Sequence, residues 1–106
     1  MYNTYNYAEE RRQAERQQVS MAGTLRVSGG RRVIVEFRDI SVLGFSCEYA
    51  STLAIGEHVW AKFANLDALE ATVVRRDGYY YGLMFNAPLH AAIFDHVVAR
   101  YGRVLA

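Results

Sequence analysis

The 106-residue sequence has one cysteine, one proline and one lysine, and each scarcity narrows what the chain can be. Cys47 alone cannot form an internal disulfide or anchor a cysteine-based metal cluster. Lys62 is the only lysine among twelve basic residues, so the cationic chemistry is that of arginine, a planar fork suited to phosphate and to guanine edges. Genomic base composition can produce the same bias, so only position can give it meaning. No apolar run approaches the ~20 residues of a membrane helix. The first eight residues, Met1-Tyr-Asn-Thr-Tyr-Asn-Tyr-Ala8, have neither a basic region nor an apolar stretch, so no signal peptide is expected and the expected location is the cytoplasm. A formal net charge of +1 provides no bulk field to draw the protein to nucleic acid or to a membrane.

What is present is enough for one core. The length fits a single domain, and 52% apolar residues exclude a wholly disordered chain. Residues 1–10 read as a loose polar and aromatic tail, with the domain expected over 11–106. From Glu9 to Gln18 only Ala14 is apolar, so a helix there would have no face to dock, and this segment is expected to be a flexible arm.

From Val19 to Phe85 the apolar period is two. Val33, Val35 and Phe37 form one face of a run, as do Phe45, Cys47 and Tyr49, and Val59, Ala61 and Phe63. Gly29-Gly30 and Asp77-Gly78 fall between such runs and read as hairpin turns. About six strands with short connections predict an antiparallel sheet closed into a barrel, which hides its edges. After Phe85 the period changes. Pro88 can start a helix, Leu89, Ile93 and Val97, with Phe94, Val98 and Tyr101, form stripes at helical spacing, and Gly102 is placed to end it. The fold class is therefore mainly β: a six-stranded antiparallel barrel, a C-terminal α-helix and an N-terminal arm.

Catalytic patterns fail. Ser41 lacks a Gly-x-Ser-x-Gly context, and Cys47 shares a face with Phe45 and Tyr49, which makes it a buried thiol. His90 and His96 are poorly placed for joint metal ligation, and His58 stands alone on a strand. There is no phosphate-binding glycine loop of either common type. No catalytic residue, metal site or cofactor is expected.

Two short motifs remain. Arg12-Gln-Ala-Glu-Arg16 lies in the arm, and Asp39-Ile-Ser41-Val-Leu-Gly44 follows the Val33–Phe37 strand. The first alone reads as a solvated charge run. The second alone reads as a turn, with Asp and Ser bonding local backbone and Gly supplying a positive φ. Together, in this order and interval, they resemble the paired signature of the PilZ domain family, an Arg-x-x-x-Arg arm followed by (Asp/Asn)-x-Ser-x-x-Gly. Thr72 to Phe85 is similar to the family's late hairpin, and the resemblance covers about residues 11–100. The arm lacks the proline often found inside the family's motif.

The resemblance implies a receptor for cyclic di-GMP. Arginine forks can take phosphate oxygens or guanine O6 and N7. It implies Arg12 and Arg16 as ligand contacts, Asp39 on the guanine N1–H and N2–H₂ donors, Ser41 as a hydroxyl donor, and Gly44 as the point where backbone closes on the ligand. Arg11 adds one more cation, which favours a stacked ligand dimer over a single copy. The arm would order on binding and signal to a separate protein partner. Two other readings stand beside this one: a PilZ-like adaptor that binds protein and no nucleotide, and a small barrel binding single-stranded nucleic acid through Tyr79, Tyr80 and Tyr81. Successive strand residues face opposite ways, so at most two of those tyrosines could share a platform.

Overall fold

A computed structural model describes residues 15–103. The strands are β1 (Gln17–Val27), β2 (Arg32–Ile40), β3 (Gly44–Glu48), β4 (His58–Phe63), β5 (Leu69–Asp77) and β6 (Tyr80–Phe85), followed by helix α1 (Ala91–Tyr101). Every adjacent pair is antiparallel, and the order β1-β2-β3-β6-β5-β4 closes into a barrel. The fold is the one expected from the sequence. Its closure depends on β1, which pairs with β2 along one edge and with β4 along the other.

Both glycine turns are hairpins. Gly29 and Gly78 adopt φ of 73° and 62°, a region where a Cβ is strained, and β1 with β2 and β5 with β6 fold back there. The period-two runs supply the interior. Val35, Phe37, Phe45, Cys47, Val59, Ala61 and Phe63 are all buried, while Val33 at the hairpin end of β2 is not. Four phenylalanines from four strands fill the middle. Phe37 and Phe45 stack at 4.6 Å, Phe37 and Phe63 meet at 5.0 Å, and Phe85 reaches Phe45 at 5.3 Å. Each such ring contributes about 1.5–3 kcal/mol by leaving water. Each aromatic pair adds about 0.5–1.5 kcal/mol. Tyr81 is fully buried because its hydroxyl is satisfied on both sides: it donates to the Ser51 carbonyl and accepts from Leu53 N–H.

Three expectations need correction. The arm was to extend through Gln18, but Gln17 and Gln18 are already strand, paired with Ile40 and Asp39. Their own side chains carry no apolar signal; β2 supplies the partner. Residues 9–14 of the arm lie outside the described residues. The helix begins at Ala91 and not at Pro88, because His90 caps it by accepting from Ala92 N–H through Nδ1. His58 is not alone, since its Nδ1 lies 2.8 Å from a Glu70 oxygen on the neighbouring strand. Helix α1 buries Val97 against the core, and its C-terminal end is tied to β1: Gly102 bridges to Val19, and Arg103 N–H donates to the Gln18 carbonyl.

Phe37 touches two other rings, so Phe37→Ala is expected to destabilise the barrel by about 3–5 kcal/mol. Denaturant unfolding followed by circular dichroism measures it, and a loss under about 1 kcal/mol would mean that the ring cluster is not the core's keystone.

Candidate functional site

Asp39 stands near the end of β2, just past an irregularity that leaves Arg38 as an extra residue between the Phe37–Cys47 and Asp39–Ser46 pairs. The irregularity turns Asp39 to the outer wall, where its carboxylate is engaged on both oxygens. Oδ1 accepts from Arg16 Nη1, and Oδ2 accepts from the Ser46 hydroxyl at 2.6 Å. Ser46 in turn lies 2.9 Å from the Tyr80 hydroxyl. A serine has a single proton to give, and Ser46 gives it to Asp39, so Tyr80 is the donor in the second bond. The result is a chain from Tyr80 through Ser46 to Asp39, with Arg16 closing the exposed end.

Sheet register extends the constellation. Gln18, Asp39, Ser46, Gly82 and Arg75 lie opposite one another in turn across β1, β2, β3, β6 and β5. A Cβ at Gly82 would stand 3.2–3.3 Å from the Arg75 side chain, so Arg75 passes over β6 at the position where Gly82 offers no side chain. Strands about 4.8 Å apart put roughly 14 Å between the backbones of Asp39 and Arg75. Arg16 and Arg75 are therefore cations at two ends of one outer-wall row whose centre is a carboxylate and two hydroxyls. Such a row suits a ligand with separated anionic groups and with N–H donors for the carboxylate.

The Asp39–Gly44 turn works differently from the expectation drawn from its residue types. Ser41 is buried, and its Oγ accepts from Leu43 N–H at 3.1 Å and from Gly44 N–H at 3.2 Å, while its own N–H donates to the Gly44 carbonyl. Gly44 does not supply a positive φ. It is required because a Cβ there would lie 2.1 Å from the Leu83 carbonyl oxygen of β6. Ser41 and Gly44 thus shape the turn from which Asp39 projects. Arg11 and Arg12 lie outside the described residues. Sequence reasoning missed Ser46, Tyr80 and Arg75. A polar residue inside the Phe45–Tyr49 run was the available signal for Ser46, but nothing short of register brings the other two beside it.

The remaining candidates are inert or structural. Burial pushes the Cys47 thiol up to about 12, with the Glu48 charge adding to the effect, so its thiolate is disfavoured. Of the three tyrosines, Tyr81 belongs to the core, Tyr80 to the hydroxyl chain, and Tyr79 is exposed. Among the described residues no three His, Cys, Asp or Glu side chains gather to hold a metal ion, and no helix is long and apolar enough to cross a membrane.

A closed six-stranded barrel carrying a charged, hydrogen-bonded row on its outer wall defines a small binding module. The chain belongs to the PilZ domain family, whose sequence profile it matches over residues 10–100, a span that includes both motifs. PilZ domains are in general cyclic di-GMP-binding modules, and the family is not a catalytic one. A search of curated proteins finds no match to this chain.

Ser41→Ala leaves two turn amides without their acceptor and is expected to cost about 1–3 kcal/mol of stability. Arg16→Ala, which breaks an exposed pair, should change stability by less than about 1 kcal/mol. Thermal unfolding of the two variants should separate them; equal losses would mean that Arg16 belongs to the framework. Cys47 should resist alkylation in the native protein at pH 8 and react on unfolding. Because its folded pKa is raised, the stabilisation is intact below the ordinary thiol value of 9.0 and is lost as pH rises from there towards about 12.

Proposed function

We propose that the protein is a cyclic di-GMP receptor in which Arg16 and Asp39 exchange each other for the ligand. The observation that supports this most directly is the pair itself. An exposed arginine and a partly exposed carboxylate, joined across 23 residues of sequence, hold complementary groups together on the outer wall. An exposed pair of this kind is worth only about 0–1 kcal/mol, so breaking it costs little. Arg16 then turns to a phosphate or to the guanine O6 and N7, and Asp39 accepts from guanine N1–H and N2–H₂. Charged hydrogen bonds of this sort contribute about 1.5–3 kcal/mol each, enough to drive the exchange.

The residues assigned to the ligand are Arg11, Arg12, Arg16 and Asp39, with Ser46 and Tyr80 fixing the carboxylate's orientation and Ser41 and Gly44 fixing the turn that bears it. Arg75 stands at the far end of the row for the ligand's second anionic or guanine group. Arg11 and Arg12 bring cations for a second, stacked copy. Because Arg16 sits directly before β1, its change of partner alters the path of the arm, and a protein partner reads the altered arm.

Calorimetric titration with cyclic di-GMP tests the reading and its stoichiometry together. Saturable binding is expected, weakened about 10–150-fold by Arg16→Ala or by Asp39→Ala. Cyclic di-AMP should bind about tenfold or more weakly, because adenine offers Asp39 no N1–H and no N2 amine and leaves the carboxylate facing acceptors. Equal affinity for the two dinucleotides would overturn the role of Asp39. Absence of binding altogether would leave the chain as a protein-binding adaptor.

A further inference from the structure

Charge is neutralised on one part of the outer wall and left alone on another. Arg38 of β2 lies beside both Glu36, at 3.6 Å, and Glu48, at 2.5 Å. At the hairpin end of the same strand the pattern is different. Arg32 of β2 lies directly opposite Arg26 of β1, which lies opposite Trp60 of β4. The next outward row is Ile34, Thr24 and Lys62. All six face out, because their neighbours Leu25, Val35, Val59 and Ala61 face the core. Like charges directly opposite across two strands are unfavourable, and here they occur one residue from a third cation, Arg31. Among the described residues none of Arg26, Arg31, Arg32 and Lys62 forms an ion pair. The carboxylates nearest by register are already engaged: Glu70, opposite Trp60, by His58, and Glu36, two residues from Ile34, by Arg38 and Ser20.

We propose that this face is the docking surface for an acidic protein segment with an apolar residue next to its carboxylates. The Arg26 guanidinium lies over the Trp60 ring, 4.8 Å from its centroid. The ring face takes one side of the cation, and among the described residues no carboxylate pairs with its N–H groups, which can take a carboxylate in a two-point hydrogen bond. A carboxylate there also relieves the repulsion between Arg26 and Arg32. Ile34, 79% exposed, is the apolar part of the face. It borders a groove of about 460 Å³ lined also by Val33, Tyr49 and Tyr79, which receives the segment's apolar side chain; Glu36 and Glu48 line it too, each beside Arg38, so the segment's carboxylates go to the Arg26 and Arg32 side.

Two other polyanions fit less well. A nucleic acid would stack bases on an aromatic ring, but the Trp60 face is covered by Arg26, and a net charge of +1 provides no field to gather a polyphosphate. An anionic bilayer would call for a broader apolar patch to insert than Ile34, Val33 and Tyr79 provide, and Glu36 and Glu48 stand beside them. The face also lies clear of the ligand row. Arg32 and Asp39 are seven residues apart on β2, about 23 Å along an extended strand. The inference depends on the receptor reading only in that a receptor without catalysis needs a partner, and its test does not pass through the nucleotide.

Trp60 is the single tryptophan, so its fluorescence reports on this face alone. The protein would be titrated with a short synthetic peptide in which aspartates flank a leucine. A saturable change in Trp60 emission is expected, weakening as salt is raised. Arg26→Glu combined with Arg32→Glu should weaken it about tenfold or more. Lys62→Glu, a single change on the adjacent row, should weaken it in the same direction. Both variants should keep native circular dichroism and the parent's behaviour towards cyclic di-GMP, whatever that behaviour is. Loss of nucleotide binding in the parent would thus sink the receptor reading and leave this one standing. The proposal is overturned by no saturable response to the peptide, by equal affinity in the charge-reversed variants, or by tighter binding of single-stranded RNA or of phosphatidylserine vesicles than of the peptide.

Discussion

Strand β1 is hydrogen-bonded along both edges, to β2 over most of its length and to β4 over its last five residues. This double pairing closes the six strands into a barrel. It encloses the four phenylalanines, and it fixes the far end of β1, at Gln17 and Gln18, beside Ile40 and Asp39. Arg16 needs no structure of its own to find the carboxylate. It is the residue that precedes a strand already in register with it. The outer-wall row is in this sense a by-product of barrel closure, and its geometry is as stable as the sheet beneath it.

The same closure explains the division of labour within the Asp39–Gly44 motif. Asp39 projects outward and meets charge, whereas Ser41 and Gly44 serve the turn that lets β3 leave β2 and pass close to β6. The Leu83 carbonyl lies where a Cβ on Gly44 would be, and the Ser41 hydroxyl takes up two amides that the tight turn cannot pair elsewhere. The motif thus combines one outward carboxylate with the turn that aims it.

How much of this the sequence discloses depends on distance along the chain. Gly29 and Gly78 were legible because a hairpin with positive φ needs glycine or a near substitute, and the requirement is local. The inward residues were legible because burial repeats every second position. Gln17 and Gln18 were not, since polar residues exposed on a strand carry no periodic mark and are held by backbone partners on β2. Ser46, Tyr80 and Arg75 were not, since they come from three strands and only a residue-level register, shifted near Phe37 and near Val73, brings them to one part of the wall. The paired arginine and aspartate motifs stood out by order and interval, which is why the family could be identified before the row was visible. The repulsive Arg26–Arg32 pair is likewise a matter of register, invisible to any reading of the arginines as a count.

Every strand has a hydrogen-bonded neighbour on each side, but β2 meets β3 only from Phe37 and β1 meets β4 only from Gly23, so the described barrel keeps short open stretches of edge. Many small β domains pass information on by letting a partner contribute an extra strand, a mode that needs little side-chain specificity because the backbone carries the affinity. Closure confines that route to the short open stretches and leaves most of the barrel's outside as a convex wall of side chains. It also protects a module with long exposed strands from pairing indiscriminately with its own copies.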